Sequence, residues 1–242
     1  MKVYIHSFQG KPWNEECETA YIGFEKLGKE CILFSTNEEL NDLTRNDIVV
    51  GGMLITGHIL DLFGIKPENY NYPEEIKKYL YRRIRTIQLR SLKNEKLPVF
   101  IKPVEEKTAP GRIINSLDDL GEYDKLSPET ELLCSEVLDI VSEWRCFVRY
   151  GRIIGIKNYA GDKDVLYDKS MIYLAVGSCK DLPAGCALDF GVTSSGNTCL
   201  IEMNDGYSLG CYGLDPVEYA KLLSARWAEL TGTKDECAFD MM

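Results

Sequence analysis

The order of residue patterns predicts an α/β protein: a small parallel α/β unit, then antiparallel sheets with helices. Residues 1–93 alternate strand-like and helix-like segments, the βαβ rhythm of a parallel sheet. From Leu97 onward, β-rich runs are joined by hairpin turns, and a well-signalled helix closes the chain. The 242 residues, 45% hydrophobic and 27% charged, leave ample material for a core. The joint falls near 94–97, so we expect domains at 1–94 and 95–242.

The elements follow in order. Lys2–Ser7 is β-rich, Asn14–Leu27 is helical and stopped by Gly28, and Cys31–Phe34 and Asp47–Gly51 are apolar strands. Met53–Phe63 reads as a short helix ending at Gly64. The apolar stretch Ile48–Ile65 is interrupted by His58, Asp61 and four glycines, which favours a buried strand, a turn and a helix over a membrane span. No G-x-G-x-x-G follows the first strand, which disfavours dinucleotide binding. Ser116–Leu120 starts a short helix. Asp215–Thr231 is a helix with Asp215 at its N-cap, Pro216 at its first position and Gly232 beyond its end.

Glu74–Lys96 reads as one long helix, with Ile76, Leu80, Ile84 and Ile87 on a stripe. Between Lys77 and Lys96 it carries a net charge of +7, within a chain whose net charge is −10. A solvated basic face and a wall attracting phosphate or carboxylate both fit that pattern. The overall acidity disfavours a nucleic-acid coat. Nine scattered cysteines without a C-x-x-C, and two separated histidines, disfavour a zinc site or a secreted disulfide framework. Free thiols in a reducing cytoplasm fit better. The N-terminus lacks the pattern of a signal peptide.

The sharpest chemical signal lies at residues 187–204. Ser194-Ser195-Gly196-Asn197 is a turn cluster between two β-rich runs. A two-residue loop at Ser195-Gly196 places Asp189 directly opposite Glu202, with Asn204 on the same face. Opposed carboxylates repel, so a covered site needs a proton or a cation. An oxygen-only set of this kind suits Mg²⁺ shared with phosphate oxygens. A retaining-glycosidase pair is a further use of two carboxylates, but nothing in the sequence singles one out for a raised pKa.

A second constellation lies upstream. Lys102 ends the apolar strand Leu97–Pro103 and precedes a polar loop through Gly111. Glu136 ends another β-rich run, and Glu143 and Arg145 lie in the next. That run turns at Arg149-Tyr150-Gly151 into a strand bearing Lys157. A three-residue loop avoids a positive φ at Tyr150 and sets Glu143 opposite Lys157. The pairing is a cross-strand ion pair unless a metal site lies nearby.

Taken together, Lys102 in F-I-K-P, the stretch from Glu136 through Arg145, Lys157, and the D…E-x-N set at Asp189, Glu202 and Asn204 resemble the ATP-grasp superfamily of carboxylate–amine ligases. The resemblance spans residues 97–212, and residues 1–93 look like the α/β domain that precedes the grasp. It implies Mg-ATP bound between two sheets. Lys102 would contact the α- and β-phosphates, Glu136, Val137 and Leu138 the adenine edge, and Glu143 the ribose. Asp189, Glu202 and Asn204 would carry two Mg²⁺ ions. Ala187 stands where many such ligases have an arginine, two residues before the metal aspartate. The sequence resembles the R2K clade, in which a lysine takes that role, and Lys157 is the first candidate, Arg145 the second. The phosphate loop is reduced to Lys107–Arg112.

The resemblance implies that ATP phosphorylates a substrate carboxylate and that an amine, an amino acid or peptide among the options, attacks the acylphosphate. The rivals are a small-molecule kinase on the same nucleotide cleft, a non-catalytic nucleotide-binding module, and an RNA-binding protein using the basic segment. Tyr207 and Tyr212, in the segment after the metal strand, either line the substrate pocket or pack.

Overall fold

In the computed structural model, which describes residues 1–68, 72–105 and 108–238, strand β1 (Lys2–Phe8) is the centre of the N-terminal sheet. A short β2 (Lys11–Pro12) folds back on its end. Helix α1 (Glu15–Lys26) follows, then β3 (Glu30–Phe34), β4 (Ile48–Val50) and helix α2 (Met53–Leu62). Strands β3 and β4 both pair with β1 in parallel, as the βαβ rhythm predicts. Asn14 caps α1 by accepting the Cys17 N–H at 3.0 Å, and three glutamates in the first turn complement the helix dipole.

The segment read as one helix over 74–96 is not a helix. It forms a 3-10 turn at Glu74–Tyr79, strand β5 (Ile84–Gln88) and a second 3-10 turn at Leu89–Asn94. Tyr81 interrupts it at φ +50°, and β-branched Ile84, Thr86 and Ile87 pair across a sheet instead. The basic charges do not form one wall. Arg85 holds Glu95 through two hydrogen bonds of 3.1 and 2.7 Å, and Arg90 meets Glu129.

The chain divides into two compact units, Leu80–Ile140 and the remainder (Met1–Tyr79 with Val141–Met242), so position 94 lies inside the smaller one. The smaller unit holds β5 with β6 (Val99–Pro103), β7 (Arg112–Ile114) and β8 (Glu131–Glu136), in the order β5-β8-β6-β7. Its core gathers Val99, Ile101, Ile114, Tyr123, Leu132 and Cys134. Ser116 and Asp119 form a capping box on a single 3-10 turn, the short helix expected there.

In the larger unit, β9 (Ile140–Arg149), β10 (Arg152–Gly161), helix α3 (Lys169–Ser178), β11 (Gly185–Thr193), β12 (Thr198–Asp205) and helix α4 (Pro216–Thr231) follow. The antiparallel sheet runs β10-β9-β11-β12. Helix α4 begins as expected: the Asp215 carboxylate accepts the Val217 and Glu218 N–H groups, and Gly232 ends it at φ +67°. It packs on α1 so closely that a side chain at Gly23 would run into the Pro216 carbonyl. One core joins both sheets of this unit, from Val3 and Ile5 through Phe147 and Ala187 to Tyr219 and Trp227.

Two hairpins differ in detail from expectation. The β11–β12 turn is a three-residue loop, Ser194–Gly196, closed by the Thr193 N–H on the Asn197 carbonyl, with Gly196 at φ +84°. A bulge between Asp189 and Phe190 then shifts the register by one, so Asp189 still pairs with Glu202. The β9–β10 turn is the two-residue loop that local preference disfavours, with Tyr150 at φ +47° and Gly151 at φ +70°. Tertiary contacts offset the strain: the Tyr150 N–H donates to the Ala184 carbonyl and its hydroxyl to Asp235, and Arg149 covers its ring. Bulges at Ile154 and Tyr159 set Lys157 opposite Arg145, and Glu143 opposite Ala160 rather than Lys157.

Among the described residues, no helix is long and apolar enough to cross a membrane.

Candidate active site

The antiparallel sheet of the larger unit carries a row of charged side chains across its four strands. Lys157 on β10 pairs in register with Arg145 on β9, and Asp189 on β11 pairs with Glu202 on β12. Arg145 joins the two halves: its Nε and Nη2 donate to the two oxygens of Asp189 at 2.8 and 2.7 Å. The pair is almost fully covered, with Arg145 7% and Asp189 1% exposed. Asn204, two residues beyond Glu202, donates from Nδ2 to Asp189 Oδ2 at 3.0 Å.

Burial is the largest influence on Asp189 and pushes its carboxyl above the usual range, against the lowering effect of the Arg145 guanidinium. For Arg145, desolvation lowers the pKa, but the hydrogen bonds and charge of Asp189 prevail and raise it. The guanidinium therefore stays charged.

Aromatic rings roof this pair. Tyr159 and Tyr212 stack at 5.1 Å, and the Arg145 guanidinium lies 5.6 and 4.9 Å from their centroids. The Tyr159 hydroxyl donates to Glu143 Oε2 at 2.5 Å. Burial raises the Tyr159 pKa, helped by the charge of Asp189 and the bond to Glu143, so the phenol keeps its proton. Tyr212 reaches this place from a constrained loop. It sits at φ +43°, and its ring lies so near Gly210 that a Cβ there would meet ring atoms at 2.8 Å.

Behind Tyr212 a cleft of about 300 Å³ opens in the same unit. Asn14 and Glu16 at the start of α1, Gly51 and Gly52 after β4, and Tyr207 and Tyr212 are among its lining residues. Both tyrosines singled out in the sequence thus line one cavity.

The donors fit a hard divalent cation. Among the described residues no group of three or more His, Cys, Asp and Glu side chains is arranged to hold a metal. The Asn204 amide, which donates from Nδ2 to Asp189, presents its Oδ1 as a further oxygen donor beside the two carboxylates. Asp189 accepts three hydrogen bonds of the roughly four its oxygens can take, leaving capacity on Oδ1. With Glu202 alongside, the set is oxygen-only.

On the smaller unit, Lys102 lies on β6 at the register position opposite Leu133. Glu136 ends β8, where its Oε2 accepts the Arg83 N–H at 2.9 Å. Val137 and Leu138 are half-buried in the connection to β9. Lys107, expected in the phosphate loop, lies outside the described residues.

Tyr159 is a site residue that the sequence motifs do not single out. Its position two residues after Lys157 on a strand is the signal that finds it. The Arg145–Asp189 contact joins strands far apart in sequence, which no local pattern encodes.

A four-stranded antiparallel sheet with this face, following a parallel α/β unit, has the fold of the ATP-grasp ligases. The solved N5-carboxyaminoimidazole synthetase of Staphylococcus aureus matches with a TM-score of 0.54 at 14% identity, over 96% of this chain and 77% of that one. The N5-carboxyaminoimidazole ribonucleotide synthetase of Thermotoga maritima matches at 0.54 and 12%, over 93% and 76%. The D-alanine–D-alanine ligase of Bacillus anthracis matches at 0.50 and 14%, over 95% and 96%. No curated protein sequence matches the chain. The family model for the ATP-grasp domain of R2K clade family 2 matches residues 79–222, more than half of the chain, and the chain belongs to that family.

Proposed function

We propose that the protein is an ATP-dependent ligase that joins a small carboxylate to an amine, an amino acid or peptide, through an acylphosphate. The observation that carries this reading is the Lys157–Arg145–Asp189–Glu202 row on one sheet face, two cations followed by two carboxylates.

Glu202, Asn204 and Asp189 would hold Mg²⁺, which when bound offsets the negative charge of the phosphate oxygens. Arg145 and Lys157 would face the transferred phosphoryl group, Arg145 being the cation already fixed beside Asp189. Glu143, oriented by Tyr159, is assigned to the ribose hydroxyls. Lys102 is assigned to the α- and β-phosphates, and Glu136, Val137 and Leu138 to the adenine edge.

A carboxylate oxygen of the substrate attacks the γ-phosphorus as the bond to ADP breaks. The amine, having lost its ammonium proton, then forms a bond to the acyl carbon. The carbon–oxygen bond to phosphate breaks, inorganic phosphate leaves, and the remaining extra proton passes to solvent. The protein needs no covalent nucleophile for this chemistry, only charge placed in advance. A reducing cytoplasm is the proposed setting for its nine free cysteines.

The test is ATP turnover to ADP and phosphate with Mg²⁺ across a panel of amino acids and short peptides. We expect Glu202→Gln to reduce turnover at least about a hundredfold while the fold is retained. Undiminished turnover in that variant would remove the metal assignment.

A further inference from the structure

The smaller unit holds a cleft of its own, lined from the 3-10 turn at Leu89–Asn94 and from short turns at Leu117–Asp119 and Gly121–Lys125. It lies on the side of the sheet away from Lys102. Leu92 and Tyr123, two of its lining residues, share a core with Ile101, and strand alternation turns the next residue, Lys102, to the other face. The cleft is therefore separate from the lysine assigned to the phosphates. Its volume is about 260 Å³, below the roughly 300–1,000 Å³ of drug-sized pockets, so it suits a molecule of amino-acid size.

The wall is mainly apolar, with five leucines among the lining residues. One of them, Leu117, is 47% exposed. Tyr123 offers its ring alone, because its hydroxyl already donates to the Pro110 carbonyl at 2.8 Å. Three charged side chains complete the lining, Arg90, Lys93 and Asp124. Arg90 is engaged, donating to Gln88 Oε1 at 2.9 Å and to Glu129 Oε1 at 3.4 Å. Among the described residues, the Lys93 and Asp124 side chains make no hydrogen bond or ion pair, with each other or with any neighbour. One open ammonium and one open carboxylate in an apolar wall complement a zwitterion with an apolar side chain. A plain acid meets repulsion from Asp124, and a plain amine meets it from Lys93.

We propose that this cleft is a second ligand site, which binds a free α-amino acid with an apolar side chain, its carboxylate on Lys93 and its ammonium on Asp124. The proposal is independent of the ligase reading. The test is hydrogen exchange of the full chain, read by mass spectrometry as ligand is titrated, so that affinity is measured at the cleft itself. The probes are L-leucine, 4-methylpentanoate, which lacks its amine, and 3-methylbutylamine, which lacks its carboxylate. L-Leucine should slow exchange in 89–94 and 117–126. It should bind there at least about threefold more tightly than either analogue, the scale of one exposed ionic contact.

Lys93→Met and Asp124→Asn, both at exposed positions, should each weaken L-leucine at these segments at least about threefold. Either analogue binding as tightly as L-leucine, or undiminished L-leucine affinity in either variant, would overturn the proposal. Protection confined to other segments, or none at all, would overturn it as well. The comparison of the three probes uses the unmodified chain, so it stands even if a variant does not fold.

Discussion

At the scale of single residues, the Arg145–Asp189 pair decides most. Two charges are held out of water, and their two short hydrogen bonds offset part of the desolvation cost. Removing one partner leaves the other charged and buried. Arg145→Met should therefore destabilise the chain by about 3–5 kcal/mol, seen as a lower midpoint in chemical denaturation. A midpoint unchanged from the parent would mean that Asp189 is solvated or protonated without its partner. The acidic side of the site is legible in the sequence, because alternation about the Ser195-Gly196 turn puts Asp189, Glu202 and Asn204 on one face. That the cation beside Asp189 is Arg145 is not legible there. The contact depends on β9 and β11 being neighbours, while Lys157 lies one strand further out.

At the scale of elements, local signals succeed where they are chemical and fail where they are periodic. The caps of α1 and α4 lie where Asn14 and Asp215 put them. The apolar stripe over Ile76, Leu80, Ile84 and Ile87 matches a helix, yet cross-strand pairing with β8 claims the second half. The Asp189–Glu202 pairing agrees with expectation through two offsetting differences, a loop one residue longer and a bulge of one residue. The Tyr150 turn shows the reverse case, a sound local preference overridden by Ala184 and Asp235. The helix pair α1–α4 gives a prediction of its own. Gly23→Ala puts a methyl group against the Pro216 carbonyl and the Ala220 side chain, and backbone cannot yield as a flexible side chain does. It should cost about 1–3 kcal/mol, lowering the thermal midpoint by roughly 2–12 °C. A neutral result would show that the two helices separate without penalty.

At the scale of the whole molecule, the acidic net charge is a poor guide to any one surface. The basic run from Lys77 to Lys96 is split among a 3-10 turn, a strand and a second turn, and Arg85 and Arg90 are paired with acids. The fold class itself is legible, because parallel and antiparallel connections differ in length and the sequence displays those lengths, although the antiparallel part begins at β5, before the joint expected near 94–97. The assignment of 79–222 to an ATP-grasp family agrees with the motif order read from the residues. What the motifs leave open is the reaction, and it is best tested by following oxygen. The full chain would be supplied with ATP, Mg²⁺ and the common amino acids labelled with heavy oxygen in their carboxylates, and the phosphate released would be analysed by mass spectrometry. Passage through an acylphosphate predicts one labelled oxygen in each phosphate formed. Turnover that yields unlabelled phosphate, or that leaves the phosphoryl group on the acceptor, would contradict the ligase mechanism.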